Sequence, residues 1–422
     1  MRMVIATMAV LAASLLLSSA LHANFTMFDL AKNSMYIARG EFTTLERTPV
    51  GDRMTLRCDE IIKGDIAVGA EVTLEAFEPA AADEGLGREV IVCFNLVNGK
   101  HYFLNHPFAT RSFIFETDDV ATNGLDQNEQ SLRNFLAINA PYKELIESEL
   151  RKRIELQQLG YQGEFDAVLI NKWRDELLKQ VTWAGTRSAR DAAKAMVEHT
   201  LFSGTLNVSQ MRLVSDHLAA SAVGSIERAY MLELVRSYPE THPGMSVQLA
   251  MLREETSQAC VGKLANLMLL LPDREGVLTA VGAIATDTAG AVQTRLNALQ
   301  MFEAMKDANG LPYVHEALLT ELENSDMNKD ILRRCFTAMR STPDAASVPV
   351  LDTCIAHAVV AESWELTQHA WIAYSLVDNI ETNGKVNQRF AQETNPARKK
   401  FFQRLLHENK VQRKLIIVHP ED

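Results

Sequence analysis

Catalytic signatures are missing from this chain of 422 residues. It holds no HExxH helix, no GxSxG turn, no SxxK with its usual companions, no P-loop and no GxGxxG after a strand. Zinc-peptidase, α/β-hydrolase, phosphate-loop and dinucleotide-binding chemistry therefore have no motif to rest on. Cysteine is scarce: five residues without a CxxC pair. That excludes a disulfide-built scaffold, a zinc ribbon and a thioredoxin-like centre. Positive charge is also short, with Lys and Arg at 42 against Asp and Glu at 54, a net −12 and a pI near 5.5. Such a chain has no overall pull toward nucleic acid or an anionic membrane. Beyond the first two dozen residues no apolar run is long enough to span a bilayer, and 47% hydrophobic with 23% charged residues is globular rather than disordered.

The amino terminus carries an address. Met1-Arg2-Met3 supplies one positive charge, residues 4–17 are uncharged and apolar, and Ser18, Ser19, Ala20 and Leu21-His22-Ala23 follow. This three-part pattern predicts a signal peptide over 1–23, cleaved after Ala20 or Ala23, and hence an exported, periplasmic or extracellular protein. A membrane anchor is the competing reading, and the run is short for a span. Export permits disulfides. Cys58 and Cys93 fall in β-like runs of one region and read either as a cross-strand disulfide or as two buried free thiols. Cys260, Cys335 and Cys354 lie on apolar helical faces and read as core residues.

Residues 24–119 read as a small β-barrel or sandwich. Short runs rich in Val, Ile, Thr and Phe predict strands beginning near Tyr36, Met54, Val72, Val90, His101 and Arg111, with turns at Lys63-Gly64-Asp65 and Asn98-Gly99. The succession Ala38-Arg39-Gly40-Glu41, then residues 55–65 ending in Ile62-Lys63-Gly64-Asp65, then Gly69-Ala70-Glu71-Val72-Thr73-Leu74 resembles the netrin-like and tissue-inhibitor-of-metalloproteinase-like OB-fold domains of exported proteins. The resemblance implies an OB-like barrel. It does not carry metalloproteinase inhibition, because those inhibitors chelate the protease metal with an N-terminal Cys and no Cys precedes Cys58 here.

Polar residues 120–130 read as a linker, and residues 131–422 are helical in period. The last third repeats itself. Ala298-Leu299 with Phe302 matches Cys335-Phe336 with Met339, and then Ala370-Trp371 with Tyr374. The partner stretches Leu311-Pro312-Tyr313-Val314 and Val348-Pro349-Val350-Leu351 match as well, each with a Pro where a helix begins. Paired helices with a period near 37 resemble HEAT-like or armadillo-like α-solenoid repeats, whose helix pairs bury their apolar faces by stacking on neighbours. The fold class is therefore α+β and multidomain.

Candidate sites are few. His315, His357 and His369 stand on neighbouring predicted helices. His101 and His106 flank a strand end but lack a third metal ligand at fixed spacing. Residues 324–330 have the composition of a calcium loop without its Gly and closing Glu, and read as an inter-repeat turn. Residues 398–414 hold seven cations against Glu408, interleaved with Phe401, Phe402, Leu405 and Leu406. They read as a basic amphipathic helix that caps the repeats or touches an anionic surface. No cofactor, metal or catalytic residue is expected. The sequence points to a non-enzymatic binding or scaffold protein whose partner is protein rather than nucleic acid. The alternative is an exported hydrolase or lyase with an active site in the helical region.

Overall fold

Alternation along Met54, Leu56 and Cys58 aims three side chains at one face of a strand, and that face is the inside of a closed barrel. The computed structural model describes residues 26–48, 51–76, 86–103, 113–115, 125–156, 163–183, 186–202 and 206–416; the expected signal peptide lies outside them. The strands are β1 (Tyr36–Thr48), β2 (Gly51–Lys63), β3 (Glu71–Ala76), β4 (Glu89–Val97), β5 (Lys100–Phe103) and β6 (Phe113–Phe115). They run in the order β1-β2-β3-β5-β4, β4 closes the ring by pairing with β1, and β6 adds to β4. Among the described strands only the β3–β5 ladder is parallel. This is a five-stranded OB-like barrel. Phe42, Leu56, Leu74, Val92 and Phe94 fill it. Gly40 sits where β1 bulges against β2, and a Cβ there would lie 1.8 Å from the Arg57 carbonyl oxygen. Asn98 and Gly99 take φ of 49° and 77°, the hairpin turn their sequence predicts.

Of the two readings of Cys58 and Cys93, the geometry favours buried thiols over a cross-strand bond. Both thiols are free and buried. Cys58 belongs to the barrel core with Val92 and Phe94, whereas Cys93, the residue between those two, points out of the opposite face of β4. There its thiol meets Ser34, Lys63 and Arg187, and burial pushes it up to about 12.

The sequence reading missed α1 (Met27–Asn33). Its signal is a capping box: the Thr26 hydroxyl accepts from the Asp29 amide while the Asp29 carboxylate accepts from the Thr26 amide. At its other end Lys63 Nζ donates to the Ala31 and Ser34 carbonyls and Asn95 to the Asn33 carbonyl, so two barrel side chains cap the helix. The Phe28 ring sits edge-on to Phe135, Trp173, His199 and Phe202, with centroids 5.1–5.7 Å away. These partners come from or adjoin α2 (Leu125–Asn139), α4 (Ala167–Val181) and α5 (Arg187–Glu198). The intervening α3 is Lys143–Leu156, and α6 is Val208–Ala220.

Of the stretch 120–130 read as a linker, the described part is helical. Residues 120–124 lie outside the described residues, and Leu125 to Gln130 open α2. Their polarity has a partner: Arg39 on β1 bonds Asp126 at 2.6 Å, Glu129 at 3.0 Å and Glu89 of β4 at 2.8 Å. Arg133 joins Glu129 at 2.7 Å and also reaches Glu60. By its internal contacts the chain forms two compact units, Met1–Ala222, which holds the barrel and α1–α6, and Val223–Asp422.

The second unit begins with α7 (Ile226–Arg236), α8 (Met245–Glu254), α9 (Gln258–Met268), α10 (Arg274–Thr286), α11 (Val292–Met305), α12 (Leu311–Glu323), α13 (Lys329–Ser341), α14 (Val348–Ala356), α15 (Ala358–Glu362) and α16 (Trp364–Val377). Helices α7, α9, α11, α13 and α16 stack in one row, and α8, α10, α12 and α14 in another. The predicted equivalent positions hold: Leu299, Phe336 and Trp371 are all buried, as are Phe302, Met339 and Tyr374. Pro312 and Pro349 stand in the first turns of α12 and α14. The region is repeat-like, each helix finding its apolar partner in the next pair.

A charged device recurs at the turns. Glu255, after α8, accepts from the Gly224, Thr256 and Ser257 amides and pairs with Arg228 at 3.1 Å; both side chains are 2% exposed. Glu321 accepts from the Asn328 amide and pairs with Arg295 at 2.7 Å, again buried. Glu393 accepts from the Thr394 and Asn395 amides and pairs with Arg389 at 3.0 Å. Each carboxylate takes up amides that the helix ends leave free. The calcium-like stretch 324–330 is such a turn, ended by Asn328 as the N-cap of α13.

Candidate functional site

Helix α13 is sharply two-sided. Ile331, Leu332, Cys335, Phe336 and Met339 face the core, and Arg333, Arg334, Thr337 and Arg340 are half-buried on the other side. The neighbouring row helices offer polar groups at matching heights. Lys263 of α9 bonds Glu233 of α7 at 2.9 Å, and Gln300 of α11 donates to the Gln258 carbonyl of α9 at 2.7 Å. Arg334 meets Glu303 of α11 at 2.9 Å, and Arg333 meets Glu365 of α16 at 2.7 Å. One polar link thus joins each helix of the row to the next.

An open cleft of about 440 Å³ lies on this face. It crosses four helices, with Gln258 from α9, Leu296 from α11, Asp330, Arg333, Arg334 and Thr337 from α13, and His369 from α16. Arg333 also touches Asp330. Burial pushes the His369 imidazole down to about 4; the Arg340 and Arg333 charges press the same way and Glu365 opposes them. The ring is therefore neutral at pH 7, and its Nδ1 is buried without a hydrogen-bond partner. Arg340 stands one turn beyond Thr337 and donates to the Lys414 carbonyl at 2.8 Å. No carboxylate lies within ion-pairing distance of it among the described residues. Burial lowers its pKa, opposed by Glu303.

Of the three candidate histidines only His369 lines this cleft. His315 Nε2 lies 2.9 Å from the Ser347 hydroxyl, and its pKa is lowered by burial. His357 joins α14 to α15. His101 stands edge-on to Tyr36 and Phe94 in the barrel unit, and His106 lies outside the described residues. Among the described residues no three His, Cys, Asp or Glu side chains are placed to hold a metal, and no helix is long and apolar enough to cross a membrane.

The basic stretch 398–414 is not one helix. It splits into α18 (Pro396–His407) and α19 (Lys410–Lys414), following α17 (Ile380–Gln392). The break falls at Asn409, whose side chain caps α19. Arg413 is buried, donating to the Ser375 carbonyl at 2.7 Å and pairing with Asp378. Arg398 stacks over Trp364, and Phe402 packs edge-on to Trp371. Two of the seven cations, Arg398 and Arg413, are thus engaged in packing the last helices.

Sequence reasoning named His369 but missed Arg333, Arg334 and Arg340. Their signal was present: 333, 337 and 340 share a helical face with nothing apolar on it. No family model, curated protein or solved structure matches the chain.

Proposed function

We propose that this is an exported, non-enzymatic binding or scaffold protein that docks segments of other proteins along its stacked helices. One observation carries the reading: a single open cleft draws its walls from four successive helices of one row. A row built this way offers a long surface whose rigidity comes from the stack and whose specificity comes from exposed side chains. The two-row packing is in keeping with HEAT-like or armadillo-like repeats. The five-stranded barrel, with Ile62-Lys63-Gly64-Asp65 closing β2, is in keeping with a netrin-like module. The signal-peptide pattern of residues 1–23 supports export, and sequencing of the mature amino terminus is to find Leu21 or Asn24.

The test places a photo-crosslinking residue at Thr337 in the cleft, or at Glu323 on the other row. In the native host the Thr337 position is to yield protein adducts and the Glu323 position is not. Equal labelling from both, or none from Thr337, defeats the reading.

A further inference from the structure

We propose that the carboxyl end of the second unit, α19 with the outer face of α18, seats on a membrane surface that carries anionic phospholipid headgroups. Helix α19 is packed inside out. Its Arg413 is buried, donating to the Ser375 and Glu408 carbonyls and pairing with Asp378. Arg340 of α13 donates to the Lys414 carbonyl and holds the same turn from another side. Away from Arg413, and one turn apart from each other, Val411 and Leu415 are 69% and 67% exposed. Ile380, two residues after Asp378, is 95% exposed, and Asp378 also meets Lys410 at 3.7 Å. The turn thus puts its charge in the protein and its aliphatic tips in water. The core below is already closed by Phe402 and Leu405. A boundary between water and hydrocarbon is where such tips are stable.

The charge around the tips has one sign. Helix α18 buries Phe401, Phe402 and Leu405 and leaves Lys399, Lys400 and Arg404 exposed. Arg404 holds Glu408 at 2.8 Å. Lys399, Lys400 and Lys414 are exposed and stand in no ion pair among the described residues. Aliphatic tips among free lysines match a layer of anionic headgroups over acyl chains. A protein partner fits less well, because a few tips fall far short of the ~800 Å² that each side of a standard complex buries. The acidic remainder of a second copy would take the lysines and leave the tips wet.

Vesicle flotation tests this with the chain from Asn24 onward, which keeps every described residue and removes an apolar run that would itself bind lipid. At low ionic strength the protein is to float with vesicles of equal parts phosphatidylcholine and phosphatidylglycerol, and not with phosphatidylcholine alone. Changing Lys399, Lys400 and Lys414 together to Gln is to weaken partition by roughly tenfold or more, since each lysine at such a surface contributes about a fivefold change. Val411→Ser with Leu415→Ser is to weaken it by roughly tenfold. Val292→Ser, at an exposed aliphatic position of α11, is to leave it unchanged. All five altered positions of α18 and α19 are exposed, so the melting temperature is to stay where it was. The native cysteines are buried, so Leu415→Cys accepts an environment-sensitive dye selectively. Its emission is to shift to shorter wavelength on the anionic vesicles and to stay unshifted with soluble polyaspartate. Equal flotation with both vesicles, no flotation, or full flotation of the double serine variant overturns the proposal. A dye shift with polyaspartate as large as that with vesicles also overturns it, by making the patch one for soluble polyanions. A dimer in sedimentation velocity that the two serines abolish, without flotation, gives the face to a second copy instead.

Discussion

The two units build their cores by opposite rules. In the first, seven residues near the amino terminus form a hub: Phe28 alone touches four aromatic rings from three later segments, while Lys63 and Asn95 of the barrel hold the same helix by its carbonyls. In the second, every row helix leans on the helix before and after it, and the equivalent residues Leu299, Phe336 and Trp371 repeat one contact. A hub makes distant parts stand or fall together, whereas a stack lets damage stay where it is made.

The largest effects test that contrast directly. Phe28→Ala and Phe336→Ala should each cost about 3–5 kcal/mol. Hydrogen exchange is to show the first loosening the barrel and α2–α5 together, and the second loosening α13 and its neighbours α11 and α16 while β1–β5 keep their protection. Equal loosening of the barrel by Phe336→Ala would break the comparison. The buried turns come next. Glu321→Ala strands Arg295 in the interior and should cost about 3–5 kcal/mol, with much of this recovered by replacing both partners with apolar residues, as denaturant midpoints will read.

Acid should separate the units. His369 has its pKa depressed, so it favours the folded state above the unfolded value near 6.5, and that contribution is lost as pH falls toward 4. His315 acts in the same direction. In the first unit burial raises Asp29, but the charge and hydrogen bond of His199 outweigh it and hold the carboxyl well below the usual range. That contribution survives until the pH drops below about 3.8. Near-ultraviolet circular dichroism between pH 6.5 and 4 is to show Trp364 and Trp371 of the second unit responding before Trp173 of the first. The smallest effect is at the surface. Asp126→Asn should cost about 1 kcal/mol or less and lose even that in high salt, because Asp126 is largely exposed and Arg39 keeps Glu89 and Glu129.

What the sequence made legible follows from the same contrast. Strand and repeat positions declare themselves by period, so β2, β4, the Asn98-Gly99 turn and the Leu299–Phe336–Trp371 register could all be read from neighbours a few residues apart. The hub could not, since nothing near Phe28 announces Phe202. The acids Asp126 and Glu129 looked like linker because their partner Arg39 is remote in sequence. Cys58 and Cys93 looked pairable because strand membership was clear while the facing of each side chain was not. The cleft was half legible: His369 stood out by type, and the arginines of α13 only by a face whose partners lie one repeat away.

The early position of the hub bears on the order of events during synthesis. A chain that emerges amino terminus first presents Phe28 long before Trp173, His199 and Phe202 exist to receive it, so the barrel must wait with its capping lysine and asparagine in place. Contacts of such high order slow folding and leave an aromatic side chain open to wrong partners in the interval. The stacked helices face no such delay, each finding its seat within one repeat of arriving. The first unit to be made should therefore be the last to be finished.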